Sequence, residues 1–335
     1  MPHPHLFTPR RTLLATAVLA ALGSAPHAWG QVVELSALNG ANGFKLSGAA
    51  AGDYSGQAVS RLGDINGDGL DDLLIGAPYA DLNGNYSGVS YVVFGSNTLS
   101  TLGAAGLQLS ALNGAKGFKL SGVAAYDFSG AAVSGLGDVN GDGLDDLLIG
   151  AFGAPNANAF GVSYVVFGSS TFSALGAAGL QLSALNGANG FKLSGATSGD
   201  FAGNAVSGLG DVNGDGVADL LIGANGADPN GSGSGASYVV FGSNTLSALG
   251  TAGLQLSALN GPNGFKLSGV AAGDELGFAV SKLGDVNGDG VADLLIGTSS
   301  RRPQRPRLRR ELRGVRLERP QHAGHGGFAA LRPER

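Results

Sequence analysis

The stretch GDVNGDGLDDLLIG, residues 137–150, decides the fold of this chain. It places four aspartates and one asparagine among glycines and then turns abruptly apolar. The stretch recurs along the chain, where Asp64, Asp138, Asp211 and Asp285 each open one copy at spacings of 74, 73 and 74 residues. A fixed period of this kind indicates one supersecondary unit copied side by side.

One unit runs from residue 35 to residue 108, and further units begin near residues 109, 182 and 256. Its pattern predicts four short strands bounded by Gly, Asn and Asp, namely Phe44–Leu46, Ala58–Ile65, Asp72–Pro78 and Val89–Gly95. The segments LLI and YVVF are apolar without alternation, which is typical of strands covered on both faces. The linker LSTLGAAGLQ has room for a helical turn.

Four antiparallel strands repeated side by side describe the blades of a β-propeller. We therefore expect an all-β chain with three complete blades, a partial fourth blade and a disordered tail. A parallel β-helix is the alternative architecture, but its coils are much shorter than this unit. Its calcium-binding form also needs a glycine-rich nonapeptide that this sequence lacks.

The acidic loop has the donor pattern of a calcium site. In the second copy Asp138, Asn140 and Asp142 alternate, so a curled turn can point three side-chain oxygens inward, and the intervening glycines allow that curl. Leu144 can offer its carbonyl, and Asp146 closes the ring. Oxygen donors at positions 1, 3, 5, 7 and 9 suit Ca²⁺, whose ligands lie at about 2.3–2.6 Å.

The four copies predict about four Ca²⁺ sites. Their ligands are Asp64, Asn66, Asp68, Leu70 and Asp72 in the first loop, Asp138, Asn140, Asp142, Leu144 and Asp146 in the second, Asp211, Asn213, Asp215, Val217 and Asp219 in the third, and Asp285, Asn287, Asp289, Val291 and Asp293 in the fourth. Position 7 varies between Leu and Val, as a backbone ligand permits. A glycine turn capped by Asx hydrogen bonds, without metal, is the alternative interpretation.

The loop differs from an EF-hand, which places a bidentate Glu at position 12 on a helix. Here position 12 is Ile149, inside a predicted strand. Asp71 and Asp145 are replaced by Ala218 and Ala292 in the later copies, so that neighbouring carboxylate is dispensable to the loop.

The loop, the preceding FSGAAVSGLGD and the following LLIGAP resemble FG-GAP repeats, the blades of the integrin α-subunit propeller. The GAP element is intact at residues 76–78, and the FG element is blurred, as at residues 128–130. The resemblance covers roughly residues 35–297 and implies a propeller that binds Ca²⁺ in these loops and uses its opposite face for adhesion. The chain differs from that family in blade count and in its longer unit. We interpret it as a secreted, bacterial-type version.

Composition excludes several classes of function. The chain has no cysteine, and its histidines lie only before residue 28 or after residue 321, so residues 31–297 lack the usual groups for catalytic triads and zinc sites. That segment holds 7 Lys and Arg against 22 Asp and Glu, an acidic balance that suits cations and opposes nucleic acid.

The two termini differ from the repeats. Residues 1–30 have the order of a cleaved secretory signal, with Arg10 and Arg11, an apolar run and then small residues. That run is too short to span a membrane. Residues 298–335 form an Arg- and Pro-rich tail without strand patterning. One choice of synonymous codons for residues 310–327, read with the frame shifted by one base, encodes GSYVVFGSNALSTLGTAG, which resembles residues 236–253. We therefore interpret the tail as the product of a frameshift or of a sequencing error.

Three functions are compatible with these patterns. The first is a secreted, calcium-binding adhesion or ligand-binding module whose partner is a protein or glycan at the cell surface. The second is a structural repeat spacer within a larger surface protein. The third is a hydrolase scaffold, but the recurring Asp53, Asp127, Asp200 and Asp274 are interpreted as blade architecture, and we expect no enzyme. An arc of blades with open ends also predicts self-association.

Overall fold

The computed structural model describes residues 16–19, 34–155, 157–299 and 327–331. The strands are β1 (Thr16–Leu19), β2 (Phe44–Ser47), β3 (Ala58–Gly63), β4 (Asp72–Ala77), β5 (Val89–Val93), β6 (Leu107–Gln108), β7 (Gly117–Ser121), β8 (Ala132–Gly137), β9 (Asp146–Ala151), β10 (Val162–Val166), β11 (Leu180–Gln181), β12 (Gly190–Ser194), β13 (Ala205–Gly210), β14 (Asp219–Ala224), β15 (Ala236–Val240), β16 (Leu254–Gln255), β17 (Gly264–Ser268), β18 (Ala279–Gly284), β19 (Asp293–Thr298) and β20 (Gly327–Leu331). Short 3₁₀ helices lie at Leu35–Ala37, Leu99–Ala105, Leu109–Ala111, Phe172–Leu175, Leu182–Ala184, Leu246–Leu249 and Leu256–Ala258.

Three four-stranded antiparallel sheets follow one another along the chain. They are β3-β4-β5-β7, β8-β9-β10-β12 and β13-β14-β15-β17, and the first two gain a short parallel fifth strand, β11 or β16. The fourth repeat contributes β18 and β19, with β20 beside them, and β1, β2 and β6 form a sheet that precedes the first blade. These sheets confirm the predicted propeller blades, and their antiparallel order excludes a parallel β-helix.

The four strands that form one blade do not all come from one sequence unit. Strand β7 opens the second sequence unit, yet it pairs with β5 of the first, placing Val92 opposite Phe118 and Val89 opposite Ser121. Strands β12 and β17 pair with β10 and β15 in the same register. One blade therefore spans residues 58–121, and each sequence unit supplies the last strand of the blade before it.

The hydrophobic core lies between adjacent blades. Leu74 and Val92 of the first blade pack in one cluster with Val133, Leu147 and Ile149 of the second. All residues of β5, β9, β10, β14 and β15 are buried, which confirms that the unalternating apolar runs are covered on both faces. Burying one such side chain contributes about 1.5–3 kcal/mol.

Glycine permits the close approach of neighbouring blades. Gly130 donates a backbone hydrogen bond to the carbonyl of Gly150 in its own blade at 3.0 Å. A Cβ on Gly150 would overlap the carbonyl oxygen of Gly203 in the next blade. The same overlap would occur between Gly76 and Gly130 and between Gly223 and Gly277. The two recurring glycines of the FG and GAP elements are therefore explained by one contact.

The edge strands β3, β8, β13 and β18 are joined by a series of serine hydroxyls. Ser60 Oγ accepts a hydrogen bond from the Gly135 backbone N–H at 3.0 Å. The same bond links Ser134 with Gly208 at 3.0 Å, and Ser207 with Lys282 at 3.2 Å. Each blade is thus held to the next by the same polar contact at the same position.

Most of the predicted signal segment and most of the predicted tail lie outside the described residues. Within the signal segment, β1 pairs antiparallel with β2. Within the tail, β20 pairs antiparallel with β19. The cleaved signal and the frameshift both stay predictions.

Candidate metal centres

Each acidic loop connects the first two strands of its blade, so all four loops lie at the same end of their sheets. In the second loop Asp138 Oδ1 accepts hydrogen bonds from the N–H groups of Gly141 at 2.6 Å and Asp142 at 3.2 Å, and Oδ2 accepts one from Gly143 at 2.8 Å. Gly141 and Gly143 have φ of 78° and 89°, left-handed angles that favour glycine. The predicted curl of the loop is therefore present.

Positions 3 and 5 of the loop contact each other. Asn140 Oδ1 accepts a hydrogen bond from the Asp142 backbone N–H at 2.9 Å, and Asn140 Nδ2 donates one to Asp142 Oδ2 at 2.9 Å. Asp142 Oδ1 accepts the backbone N–H of Leu144, position 7, at 2.9 Å. The first and third loops repeat these contacts, as the bonds of Asn66, Asp68, Asn213 and Asp215 show.

Position 9 is the buried member of the set. Asp146 is 0% exposed, and its Oδ2 accepts the Val139 N–H at 2.8 Å while Oδ1 accepts the Gly168 N–H at 2.8 Å. Asp72 and Asp219 make the equivalent pairs of bonds. This carboxylate thus joins the start of its loop to the segment that follows the third strand of the blade.

Burial shifts the proton affinity of these carboxyl groups. Desolvation raises the pKa of Asp146 to about 8, although its two backbone hydrogen bonds oppose the shift, and the charges of Asp142 and Asp138 raise it further. The same causes raise the pKa of Asp72 and of Asp219 to about 6. The carboxyl group at position 9 of these three loops therefore holds its proton more tightly than an exposed aspartate does.

The fourth loop differs at position 3. Asn287 Nδ2 donates to Asp293 Oδ1 at 3.1 Å, whereas in the other loops this amide contacts position 5. Asp293 also accepts the Val286 N–H at 2.9 Å. Backbone hydrogen bonds, the strongest from Gly290, lower the pKa of the Asp285 carboxyl. The loop keeps its fold with a rearranged amide.

The loops were next compared with the requirements of a metal site. Across the described ranges, no group of three or more His, Cys, Asp or Glu side chains is arranged as a ready metal cluster. The donor chemistry nevertheless fits Ca²⁺, because every predicted ligand offers oxygen and each carboxylate oxygen bonded to one N–H keeps a second acceptor position. The Asx hydrogen bonds expected for a metal-free glycine turn are also present. These hydrogen bonds and calcium coordination are compatible in one loop.

The recurring carboxylates outside the loops cap turns. Asp53, Asp127, Asp200 and Asp274 each accept a hydrogen bond from the backbone N–H three residues earlier, at 3.2, 2.9, 2.9 and 2.8 Å. This agrees with their interpretation as blade architecture.

The opposite end of the blades carries a row of aromatic rings that sequence reasoning missed. Tyr79 contacts Tyr54 and Tyr86 at centroid distances of 4.8 and 5.4 Å, and Phe128 stacks on Phe152 at 5.1 Å and 5°. The row joins Tyr54, Tyr79, Tyr86, Tyr126, Phe128, Phe152 and Phe201, and it extends from the first blade to the start of the third. The sequence feature that could have predicted this row is the aromatic residue that follows the recurring Asp in DYSG, DFSG and DFAG.

Several rings of this aromatic row are held in an uncommon backbone conformation. Tyr54, Tyr86, Tyr126, Phe128 and Phe201 have φ between 54° and 64°, a left-handed region that costs a non-glycine residue of the order of 1–3 kcal/mol. Four of them are substantially exposed, from 37% for Phe201 to 58% for Tyr54. Strained, exposed aromatic residues mark this end of the blades as a second candidate surface.

Comparison with known proteins agrees with the repeat structure. The FG-GAP repeat model matches residues 55–93 and 202–240, which contain β3–β5 and β13–β15. The chain is 35% identical to integrin alpha-PS2 of Drosophila melanogaster over 39% of its length and 9% of that protein. It is 30% identical to integrin alpha ina-1 of Caenorhabditis elegans over 54% of its length and 15% of that protein. It is 31% identical to integrin alpha-5 of Xenopus laevis over 55% of its length and 16% of that protein.

The chain therefore contains FG-GAP repeats and is homologous to integrin α subunits. The matches span no more than 16% of the length of these relatives, so the likeness concerns the repeats alone. Among the described residues, no helix has the length and apolar character needed to cross a membrane.

Proposed function

We propose that this protein is a secreted, calcium-binding β-propeller that serves as an adhesion or ligand-binding module. The observation that carries the proposal is the fourfold recurrence of one oxygen-rich loop with a buried aspartate at position 9. A buried carboxylate beside two other carboxylates is costly unless its charge is compensated. A divalent cation would supply that compensation in every repeat.

In each loop the ion would be held by side-chain oxygens of positions 1, 3, 5 and 9 and by the carbonyl of position 7. Bound Ca²⁺ supplies positive charge and no redox chemistry. The protein residues do the structural work, because position 1 gathers the loop backbone and position 9 attaches the loop to the neighbouring segment. For a site with Kd of about 10⁻⁴ M, millimolar calcium adds about 1.4 kcal/mol to the free energy of unfolding.

The first test compares thermal unfolding of the full chain in calcium and in chelator. We expect calcium to raise Tm, and Asp68→Asn, which removes the position 5 carboxylate, to reduce that rise. Asp71→Asn is the matched control, because it also removes one negative charge, three residues further along the chain. The Asp71 carboxylate is not a predicted ligand and forms an ion pair with Arg61 at 2.9 Å. A Tm unaffected by calcium, or an equal effect of the two variants, would contradict calcium binding.

The aromatic row supports a ligand surface at the end of the blades opposite the acidic loops. The loops of this end, including residues 48–57, 78–88 and 122–131, contain acidic residues and no Lys or Arg. We propose that a protein or glycan of the cell surface binds here. Beads coated with the chain should adhere to cells, and Tyr86→Ala with Phe128→Ala should weaken adhesion, whereas Asp71→Asn should not.

Export rests on the N-terminal leader. Fusing residues 1–40 to a reporter without its own signal should carry the reporter out of the cytoplasm, and replacing Arg10 and Arg11 should reduce export. We assign no catalytic role, and the expectation that the protein is not an enzyme stays a prediction.

A further inference from the structure

Asp145, the residue before position 9 of the second loop, contacts the loop of the blade before its own. Asp145 Oδ2 accepts a hydrogen bond from the Asp64 backbone N–H at 2.8 Å. The Asp145 backbone N–H donates to the Asp64 carbonyl at 3.2 Å. Asp64 is the predicted ligand at position 1 of the first loop, so the second blade holds both backbone polar groups of a residue in the first site.

The contact between two successive blades, which we call a junction, recurs along the chain with other side chains. In the second junction Ala218 holds the place of Asp145, and its backbone N–H donates to the Asp138 carbonyl at 3.0 Å. A Cβ on Gly137, the residue before the second loop, would lie 3.4 Å from the Ala218 methyl group. A Cβ on Gly63, the residue before the first loop, would instead overlap Asp145 Oδ2. The second junction therefore keeps the backbone contact without a carboxylate from the following blade.

The third junction places a cation at the equivalent point. Lys282 of the fourth repeat extends over the third blade, and its Nζ would lie 2.7 Å from a Cβ on Gly210. Gly210 directly precedes Asp211, which is position 1 of the third loop, and the place of Asp145 is taken by Ala292. The start of the first loop thus faces a carboxylate of the next blade, whereas the start of the third loop faces an ammonium group.

The charges of these junction side chains are not neutralised by an ion pair. Asp145 and Lys282 line one cavity of about 310 Å³ between the inner strands, together with Arg61. Arg61 forms its ion pair with Asp71 at 2.9 Å, and no ion-pair partner of Asp145 or Lys282 lies among the described residues. Both charges can therefore act on the loops beside them, with screening by solvent and salt.

We propose that these junction side chains make the calcium sites unequal, because Asp145 strengthens binding by the first loop and Lys282 weakens binding by the third. The inference rests on the proposed calcium binding, and its physical basis is Coulombic. A carboxylate beside a site stabilises a bound divalent cation, whereas an ammonium group destabilises it. The affinity of one blade for calcium is thus set in part by the blade that follows it, and the first loop fills before the third as calcium rises.

The test is a calcium titration of the full chain followed by NMR, because one backbone amide reports on each loop. In every loop the glycine at position 6 donates its N–H to Oδ2 of position 1 at 2.7–2.8 Å; these glycines are Gly69, Gly143, Gly216 and Gly290. We expect the Gly69 signal to respond at lower calcium than the Gly216 signal.

Two variants change the junction charges separately. Asp145→Asn keeps an acceptor for the Asp64 N–H but removes the charge, and it should weaken calcium binding by the first loop about two- to tenfold. Lys282→Gln should strengthen binding by the third loop by a similar factor. Both effects should shrink as the salt concentration is raised, since salt screens exposed charges.

Two controls make the same changes of charge at other places. Asp71→Asn removes a carboxylate of the first loop's own blade that pairs with Arg61, so it should weaken the first loop less than Asp145→Asn does. Lys266→Gln removes a cation from the outermost strand of the third blade, where Nζ lies 5.8 Å from the centroid of the Tyr238 ring, and it should leave the third loop unchanged.

Equal affinities of the first and third loops in the natural chain would overturn the proposal and leave calcium binding itself intact. So would equal effects of a junction variant and its control. Glycine signals that do not respond to calcium would overturn both this proposal and the proposed calcium binding.

Discussion

Asp146 and Gly168 are joined by a hydrogen bond of 2.8 Å, from the Gly168 backbone N–H to Asp146 Oδ1. Because Oδ2 of the same carboxylate accepts the Val139 N–H, one buried side chain fixes the acidic loop to the segment after β10. The aspartate at the ninth loop position therefore stabilises the fold even when no ion is bound. Asp72 and Asp219 have the same double acceptor role, which accounts for aspartate at this position in the first three copies.

Asp146→Asn should lower the free energy of unfolding even in chelator. The amide can accept only through its oxygen, so one buried backbone N–H loses its partner, at a cost of about 1–3 kcal/mol. Urea unfolding followed by circular dichroism measures the change. Asp145→Asn is the adjacent control, because its oxygen can still accept the Asp64 N–H that Asp145 bonds at 2.8 Å. Equal stability of the Asp146 variant and the natural chain would contradict the structural role.

In chelator, the protein should become more stable as the pH is lowered from 8 toward 5. The folded-state pKa values of Asp146, about 8, and of Asp72 and Asp219, about 6, lie above the ordinary value of 3.8. A raised folded pKa gives a stability contribution that is complete below the unfolded pKa and is lost as the pH rises through the folded pKa. Tm measured against pH should therefore fall between pH 5 and pH 8.

Asp146→Asn should flatten the dependence of Tm on pH between pH 6 and pH 8. Among Asp72, Asp146 and Asp219, only Asp146 has a pKa that lies in the upper part of this range. In calcium the slope should be reversed or abolished, since protons compete with the ion for the same oxygens. A Tm in chelator that rises toward pH 8 would contradict the raised pKa values.

Two serines should respond oppositely to removal of their hydroxyl. Ser129 Oγ is buried and has no hydrogen-bond partner among the described residues, and the third repeat has Ala202 at the same place. Ser129→Ala should leave stability unchanged or increase it. Ser134→Ala should lower it by about 0.5–1.5 kcal/mol, because Ser134 Oγ bonds Gly208 and Gly135. Equal effects of the two variants in urea unfolding would contradict this distinction.

Gly150→Ala should destabilise the chain more than Gly52→Ala. At Gly150 the added Cβ would overlap the Gly203 carbonyl oxygen of the next blade, and the blades would have to separate, at a cost of about 1–3 kcal/mol or more. Gly52 has φ of 96° but nothing within 4 Å, so only backbone strain opposes alanine there. Urea unfolding of both variants makes the comparison. If Gly52→Ala lost more stability than Gly150→Ala, the need for glycine would come from the backbone φ angle and not from the contact between blades.

The local elements could be predicted from the sequence because their signals are local. The strand expected at Asp72–Pro78 is found at Asp72–Ala77, and the linker expected to allow a helical turn contains the 3₁₀ helix Leu99–Ala105. The curl of the acidic loop follows from its alternating Asx residues and glycines. The burial of both faces of LLI and YVVF follows from their continuous apolar character.

The phase of the blade could not be predicted, because a period of 74 residues is the same wherever the unit is cut. Whether GFKLS pairs with the strand after it or with the YVV strand before it depends on hydrogen bonds between distant residues. The aromatic row was missed for a similar reason. Tyr79 and Phe128 lie 5.6 Å apart between centroids but belong to different repeats.

The most direct test of the account is to count the calcium ions bound by the full chain at equilibrium, by dialysis against buffered calcium. The four intact loops predict about four ions per chain, with one fewer for Asp68→Asn and no change for Asp71→Asn. Fewer than one ion per chain at millimolar calcium would contradict the central claim and leave the loops as turns held by Asx hydrogen bonds alone.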